Sequence, residues 1–260
     1  MKIANYPSNL TDAQWALLQP MLPPAKKRGR PQTDRRVIIN AILYLVKGGI
    51  QWSLLPVDFP PYKTVFHIFR KWTVDKIWEA LNDQLRAHTR AQVGKRSRPT
   101  AAILDSQSVK SDCHGGAVGY DAAKNIKGRK RHLLVDTLGL VLGVLVTPAN
   151  TTERNGAQML LQGLLGWFTW LRILWVDGGY SGPAFANWVA SIRSKLKVEV
   201  VRRSDQAPGF KLLARRWVVE RTFGWLMRHR RLVRDYEKKE SSAESFVYIA
   251  MIRIQLRRLA

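Results

Sequence analysis

The sequence is poor in cysteine and in acidic residues, and it contains no long uninterrupted apolar run. Cys113 is the only cysteine among 260 residues, which excludes a disulfide within the chain and a zinc site built from several cysteines. Residues 159–176 come closest to a membrane span, but Gln162 and Arg172 interrupt them. A buried helix that leads into a buried strand explains this segment better. Because the first ten residues also lack the apolar core of a signal peptide, we expect a soluble cytoplasmic protein.

The scarcity of acids leaves a large positive charge. The chain has 43 Lys and Arg residues against 19 Asp and Glu residues, a formal net charge of +24. Such an excess calls for a polyanionic partner. Nucleic acid is the first candidate, since neutralising phosphates releases condensed counterions, and an anionic membrane surface is the alternative. The basic residues form separate clusters at 26–30, 95–98, 124–131, 202–203 and 215–231, which suit an extended phosphate track better than one membrane-facing helix.

The pattern of apolar residues divides the chain into three parts. Residues 1–92 predict a small all-helical domain with three helices, residues 93–100 a basic linker, and residues 101–260 an α/β domain. A basic, proline-bounded loop that contains Arg28 and Arg30 separates the first two helices. The helical part fits a DNA-binding helix-turn-helix module, but it fits equally well a helical cap that packs on the next domain.

The order of elements after residue 100 predicts a mixed sheet. Three strands come first, followed by alternating helices and strands and then by two final helices. The stretch DTLG, residues 136–139, is typical of a hairpin turn, so we interpret Asp136 as structural. Strands that meander and then alternate with helices indicate a five-stranded mixed sheet flanked by helices.

The positions of two acids suggest chemistry. Asp105 and Asp177 each follow an apolar strand, AAIL and RILWV, and between residues 137 and 198 the only acids are Glu153 and Asp177. If the two strands pair in parallel, about 4.8 Å apart, their carboxylates can share a site suited to Mg²⁺ and to two-metal phosphoryl transfer. The alternatives are a turn cap for Asp105 and a buried ion pair for Asp177. We expect Asp112 and Asp121 to be solvated in a loop.

A third acid stands alone among cations in RRWVVERTFGWLMRHRR, residues 215–231. The apolar spacing predicts a helix whose buried stripe contains Val219, Phe223 and Leu226, so that Glu220 borders this stripe and can point toward the strand ends. Arg216, one turn earlier, can orient the carboxylate or bind a phosphate. A simple intrahelical contact between Glu220 and Arg216 is the alternative and would contribute only about 0.3–0.5 kcal/mol.

The motifs LDSQSVK, GRKRHLLVDTLGL, WVDGGYSG and RRWVVERTFGWL, taken in this order, resemble those of DDE transposases of bacterial insertion sequences, in particular the insertion sequence 5 family. The segments LTDAQWALLQPMLP and GGIQWSLLP look like the domain that precedes the catalytic core in these proteins. The resemblance implies an RNase H-like core in which the first strand pairs with the fourth. It also implies that Asp105, Asp177 and Glu220 are the catalytic, metal-binding acids.

The resemblance further implies a DNA transposase of a mobile genetic element. Such an enzyme binds the terminal inverted repeats, cleaves the element ends with two Mg²⁺ ions (or Mn²⁺ as a substitute), and joins the 3′-hydroxyl ends to target DNA. It acts as a homodimer in a synaptic complex on double-stranded DNA in the bacterial cytoplasm, associated with the nucleoid when bound. The family signature expects an Arg four residues before the Glu, matched by Arg216. It also expects a Tyr and a Lys where this chain has Leu213 and Met227, with Arg228 the nearest cation.

Basic residues near the predicted site are the candidates for DNA contacts. We place five of them in a loop between the first and second strands and expect them to contact the DNA backbone: Lys124, Lys127, Arg129, Lys130 and Arg131. Arg216, Arg28 and Arg30 complete the set. Two other functions remain open from the sequence, a nuclease that cleaves without joining strands and a non-catalytic DNA-binding repressor.

Overall fold

The computed structural model describes residues 5–24, 33–112, 116–201 and 214–260, and the chain forms two compact units. The first unit comprises Met1–Lys95, Leu226–Arg234 and Ser241–Ala260, and the second comprises Arg96–Trp225 and Asp235–Glu240. The boundary after Lys95 falls within the expected linker 93–100. Two later segments, which we expected in the α/β domain, belong instead to the first, helical unit.

The first unit contains more helices than the sequence predicted. Its N-terminal part has α1 (Asp12–Leu18), α2 (Arg35–Gly48), α3 (Tyr62–Val74) and α4 (Ile77–Gln92). The prediction of three helices for residues 1–92 is therefore wrong, because the third predicted helix is two helices, α3 and α4. The chain breaks at Lys76, whose φ of 56° lies in the left-handed region, although the apolar stripe continues across the break.

The C-terminal helix completes the core of this helical unit. In α8 (Glu240–Leu259), the ring of Phe246 stacks on that of Phe69 with centroids 4.7 Å apart. Further along, the Arg253 side chain donates to the Ser8 carbonyl at 2.7 Å, and the Gln255 amide donates to Asn82 at 2.8 Å. Thirteen of the 20 residues of α8 are buried, all of them between Ser242 and Leu256, which explains why its sequence has no clear polar stripe.

The second unit is built on a six-stranded mixed sheet. Its strands are β1 (Ala101–Lys110), β2 (Gly119–Asp121), β3 (Ile126–Asp136), β4 (Val141–Pro148), β5 (Ile173–Val176) and β6 (Lys197–Val200). β1 lies between β3, its antiparallel partner, and β5, its parallel partner. β6 extends the parallel part next to β5, while β2 and β4 pair with β3. The five predicted strands are confirmed, and the short β2 is additional.

Helices and a tight turn frame this sheet. α5 (Glu153–Leu164) and α6 (Pro183–Ile192) follow β4 and β5, and α7 (Ala214–Met227) follows β6. The turn between β3 and β4 is held by Asp136, which is fully buried and accepts the N–H groups of Leu138 and Leu140 at 2.8 and 2.9 Å. Gly139 supplies the required positive φ of 81°. The structural interpretation of Asp136 is confirmed.

The expected loop between the first two long strands is shorter than predicted. β3 begins at Ile126, so Arg129, Lys130 and Arg131 lie inside a strand and are buried. A cationic stretch is an unusual strand, because each buried charge needs a partner. The Arg129 guanidinium donates to the carbonyl of Glu237 at 2.6 Å and to that of Lys238 at 3.0 Å, and it pairs with Asp235 at 3.5 Å. The segment 235–240 thus supplies the partners that keep this arginine in the sheet.

Candidate active site

The parallel pairing of β1 and β5 brings two of the predicted acids together. Ile103 lies opposite Trp175 in the register of the two strands. Asp105 and Asp177 come two residues further along β1 and β5, so the two acids lie at the same level of the sheet. Asp177 directly follows the end of β5 as expected, whereas Asp105 lies inside β1, which continues to Lys110, and not at its end. Adjacent strands lie about 4.8 Å apart, which allows both carboxylates to face one small volume.

Asp105 is partly buried, and its surroundings disfavour the charged form of its carboxyl group. Burial raises the pKa of its carboxyl to about 6, and the negative charges of Asp177 and Glu153 act in the same direction, against the Ser106 N–H and the Arg216 guanidinium. Its carboxylate accepts the Ser106 N–H at 2.7 Å. A buried carboxylate surrounded by other acids is costly unless a cation joins it.

Asp177 is held by the turn that follows β5. Its carboxylate accepts the Gly179 N–H at 2.9 Å and so caps the short helical turn Gly178–Tyr180. Gly179 has no side chain to obstruct the site. A Cβ at this position would lie 2.7 Å from Glu153 Oε2 and 3.1 Å from Asp177 Oδ1. The absence of a side chain is what lets two carboxylates approach here.

Glu220 reaches the same site from α7, through an arginine. The Arg216 guanidinium lies 3.7 Å from Glu220 Oε1 and 3.9 Å from Asp177 Oδ2. The helix is anchored by Thr222, whose buried hydroxyl donates to the Gly139 carbonyl at 2.8 Å. Val219 and Phe223 are buried as predicted. The intrahelical contact between Arg216 and Glu220 is therefore present, and the same guanidinium also links Glu220 to the strand-end aspartate.

A fourth acid, which the sequence argument did not select, lies at this site. Glu153 is the first residue of α5, and its Oε1 accepts hydrogen bonds from the Ser106 hydroxyl at 3.0 Å and from Lys124 Nζ at 3.2 Å. The available signal was its rarity, because it is one of only two acids between residues 137 and 198. Nothing in the sequence showed that the start of α5 returns to the ends of β1 and β5.

The predicted DNA-contacting residues fall into four groups. Lys124 and Lys127 are exposed. Arg129, Lys130 and Arg131 are buried, and their expected position in a loop is wrong. Arg28 and Arg30 lie outside the described residues. Arg216 is partly exposed at the acids. A buried cation with internal partners is not available to a phosphate, so we leave the three strand residues out of the DNA-contacting set.

Asp121 also departs from its predicted place. It lies in β2 and is 6% exposed, whereas we expected it to be solvated in a loop. Its carboxylate accepts the Ser108 hydroxyl at 2.6 Å and pairs with Lys130 Nζ at 3.2 Å. Burial alone would raise the pKa of Asp121, but the hydrogen bonds from Ser108, Lys130 and the Lys124 N–H lower it to about 2. This pair ties β2 to β1 and β3.

The donor set suits a divalent cation. Asp105, Asp177, Glu153 and Glu220 offer only carboxylate oxygens, the ligands that Mg²⁺ prefers. Among the described residues, no Lys or Arg forms an ion pair with Asp105. In the part of the chain that the structure describes, no three His, Cys, Asp or Glu residues stand close enough to hold a metal ion in their present positions. The chemistry of the residues thus fits a metal, while the Arg216 guanidinium lies between two of them.

The mixed sheet, the helices that flank it and the acids on its parallel strands are those of an RNase H-like domain, which a helical region precedes. Residues 96–254 match the family model described as "Transposase DDE domain", and residues 10–82 match the one described as "Putative transposase of IS4/5 family (DUF4096)". The first match covers more than half of the chain. The chain therefore belongs to the family of transposases with a DDE domain.

Relatives with insertion-sequence names agree with this assignment. The chain is 30% identical over 131 residues to the "Putative transposase for insertion sequence element IS6501" of Brucella ovis, which covers 49% of this chain and 98% of that protein. It is 29% identical over 117 residues to the "Insertion element IS402 uncharacterized 16.2 kDa protein" of Burkholderia cepacia, covering 42% of this chain and 78% of the relative. None of the helices in the described ranges has both the length and the apolar character needed to cross a membrane.

Proposed function

We propose that this protein is a transposase of the insertion sequence 5 type, which binds the terminal inverted repeats of its element, cleaves the element ends and joins them to target DNA. The observation that supports the proposal is the approach of three acids to one region of the sheet. Asp105 and Asp177 each follow the paired residues Ile103 and Trp175 by two positions, and Arg216 lies between Asp177 and Glu220. A cluster of acids in a chain of net charge +24 has a clear use where phosphates must meet cations.

Two phosphoryl transfers make up the proposed reaction. In the first, the oxygen of a water molecule attacks a phosphorus atom at the element end, the bond to the 3′ oxygen breaks, and that oxygen leaves as a 3′-hydroxyl. In the second, this hydroxyl oxygen attacks a phosphorus atom of the target strand, and the target's own 3′ oxygen leaves. Each step exchanges one phosphorus–oxygen bond for another, so neither needs an external energy source, and neither needs a covalent enzyme intermediate.

Asp105, Asp177 and Glu220 would hold two Mg²⁺ ions, with Mn²⁺ as a substitute. Bound there, the ions lower the pKa of the attacking hydroxyl group and stabilise the charge on the leaving oxygen. The protein's own contribution is to fix the acids on rigid elements, with Asp105 inside β1, Asp177 directly after β5 and Glu220 on a helix. Because the guanidinium of Arg216 lies between Asp177 and Glu220, we expect it to turn toward a phosphate when cations enter.

The proposed DNA contacts come from exposed cations around the acids. Lys124 and Lys127 belong to the exposed turn and strand start between β2 and β3, and Arg216 lies at the acids themselves. Arg28 and Arg30, in the basic stretch 26–30 of the sequence, would add further contacts. A homodimer that holds two element ends in a synaptic complex remains part of the proposal.

Strand cleavage by Asp105→Asn tests the site. We expect this variant to lose Mg²⁺-dependent cleavage of a duplex that carries the element end, because the amide cannot replace an anionic ligand. Binding to the same duplex, measured by gel shift, should stay within about threefold of wild type. The matched control is Asp112→Asn, which removes an exposed carboxylate beyond the end of β1. Normal cleavage by Asp105→Asn would show that the acids do not form the active site.

A substrate with an element end already cut separates transposition from the other two functions. Incubated with plasmid and Mg²⁺, a transposase joins the free 3′ end to the plasmid. A nuclease without strand transfer cleaves uncut ends but yields no joined product. A repressor binds the duplex and shows no metal-dependent chemistry at all.

A further inference from the structure

Glu153 approaches the three acids from an element that the proposed function does not use. It begins α5, while the other acids come from β1, the turn after β5 and α7. Arg154, the next residue, fixes the start of α5 to that turn, because its guanidinium donates to the Gly179 carbonyl at 3.0 Å and to the Ser181 carbonyl at 2.6 Å. These two hydrogen bonds hold the first turn of α5, and with it the backbone of Glu153, beside the turn that follows Asp177.

The Glu153 carboxylate faces that of Asp177 closely. The position that a Cβ atom at residue 179 would occupy is 2.7 Å from Glu153 Oε2 and 3.1 Å from Asp177 Oδ1. The two groups are therefore within the roughly 4–6 Å over which like charges disfavour each other's ionised form. The charge of Glu153 also contributes to the raised pKa of Asp105. An arrangement that holds three carboxylates together, without protonating them, requires a cation between them.

A buried hydroxyl provides an independent sign of a ligand at this place. Tyr180 is 1% exposed, and its hydroxyl makes no hydrogen bond of normal geometry to any described residue, although Ser106 lies nearby. Burial raises the pKa of this hydroxyl, and the charges of Glu153, Asp105 and Asp177 raise it further. A phenol group that is buried against three acids and bonded to none of them is typical of a position that a hydrated ion or water would complete.

The partner of Glu153 in this structure is itself exchangeable. Lys124 Nζ lies 3.2 Å from Glu153 Oε1, and the two side chains are 39% and 27% exposed. An ion pair of this exposure is weak, and Lys124 is one of the cations proposed to bind DNA. A phosphate that captures the lysine would leave Glu153 without its positive neighbour.

We propose that Glu153 is a fourth carboxylate of the active site, which binds the divalent cation from the side of α5, and that Lys124 competes with the cation for it. The inference rests on the proposed function, since it concerns the same site. It has a consequence beyond that function, because a phosphate that draws Lys124 away would strengthen cation binding. DNA and metal would then favour each other's binding, as two ligands coupled through one ion pair must.

A structural role for Glu153 is the rival interpretation. An acid in the first turn of a helix interacts favourably with the helix dipole, and its bond to Ser106 would hold α5 on β1. Glu153→Gln separates the two roles, because the amide keeps the same shape and can still accept the Ser106 hydrogen bond while the charge is lost. A structural acid predicts no change in metal affinity for this variant.

Titration of the full-length protein with Mn²⁺ alone, followed by calorimetry and by the shift in melting temperature, tests the inference without any activity assay. We expect Glu153→Gln to weaken Mn²⁺ binding by about tenfold or more and to reduce the metal-induced rise in melting temperature. Lys124→Met should strengthen Mn²⁺ binding several-fold. In the double variant the effect of Lys124→Met should vanish, because its competitor is gone.

Each outcome has a distinct meaning. Mn²⁺ affinity in Glu153→Gln equal to wild type, with Asp105→Asn losing it, would overturn the inference and leave the proposed function standing. Strengthening by Lys124→Met that persists in the double variant would overturn the competition between Lys124 and the cation. Should Glu153→Gln fail to fold, Lys124→Met alone still decides, since an unchanged affinity there contradicts the inference. A wild-type protein that binds no Mn²⁺ would overturn both proposals.

Discussion

Two glycines follow Asp177 in the candidate site, and only one of them lies against the carboxylates. Gly178 and Gly179 follow Asp177 directly and look equivalent in the sequence. In the structure they differ, because a Cβ at Gly179 would press on Glu153 Oε2 and Asp177 Oδ1, whereas a Cβ at Gly178 would meet nothing within 4 Å. Their different surroundings give a test of the site that removes no charge.

Gly179→Ala should therefore displace the carboxylates of Glu153 and Asp177, whereas Gly178→Ala should leave them in place. The added methyl group must push at least one carboxylate away, since a contact of 2.7 Å is shorter than van der Waals contact permits. We expect Mg²⁺-dependent cleavage by Gly179→Ala to fall by at least tenfold, while both variants keep their DNA affinity. Equal cleavage rates for the two variants would contradict the described placement of Glu153 and Asp177.

The residue scale also shows what the sequence revealed about the site. The nearness of Asp105 and Asp177 could be predicted, because each follows a run of apolar residues and parallel pairing aligns the two runs, although Asp105 lies inside β1 and not at its end. Arg216 and Glu220 followed from helical spacing. Glu153 could not be predicted, since its approach depends on how α5 packs back on the sheet. The same limit applies to Asp121, whose partners come from two other strands.

At the scale of elements, β3 is where the sequence argument went wrong. Clustered cations usually indicate a solvated loop, and that general rule suggested phosphate contacts for Arg129, Lys130 and Arg131. The alternative, a strand with buried cations, needs acids and carbonyl groups from elsewhere in the chain, and local patterns do not show these. The break at Lys76 escaped prediction for a related reason, because apolar residues continue on the same side beyond it.

Arg129 and Lys127 thus have opposite expected roles despite being two residues apart. Arg129→Ala leaves the buried Asp235 without its guanidinium, so we expect the free energy of unfolding to fall by about 3–5 kcal/mol. Lys127→Ala should change it by less than about 0.5 kcal/mol, yet flatten the dependence of DNA binding on salt by about one unit of slope.

Chemical denaturation and binding titrations at several salt concentrations measure the two effects. The pair of variants serves as its own control, since each should be nearly silent in the other's assay. A loss of stability in Lys127→Ala as large as that in Arg129→Ala would contradict the assignment of their roles.

A buried histidine in β3 makes the stability of the fold depend on pH. His132 is fully buried, and burial lowers its pKa to about 4, helped by the charges of Lys130 and Lys124 and opposed by that of Glu153. An unfolded histidine titrates near 6.5. Between these values the unfolded state binds the additional proton, so stability is present above pH 6.5 and is lost as the pH falls toward 4.

Denaturation at pH 7 and pH 5 checks this linkage. The contribution of His132 corresponds to a loss of roughly 2 kcal/mol between these two pH values. His132→Gln, which can still bond to Thr147, should lose less stability over the same interval. An identical pH dependence in the variant and the wild type would show that His132 is not the group responsible.

At the scale of the whole molecule, the two main features are the net charge and the order of the elements along the chain. A net charge of +24 suits the proposed function, in which cations offset the repulsion between the carboxylates of the site and the phosphates of DNA. The fold class and the order of the five long strands could be predicted, because periodicity and turn residues act locally. The membership of residues 241–260 in the helical unit could not, since it depends on packing across more than a hundred residues of sequence.

Strand transfer is the measurement that tests the central claim most directly. Wild-type protein, a duplex with a pre-cut element end and a plasmid should give joined products with Mg²⁺ and none with EDTA. Asp105→Asn should give none in either case, while Asp112→Asn should match the wild type. Joined products formed by Asp105→Asn, or by the wild type in EDTA, would contradict a transposase that works through these acids and a divalent cation.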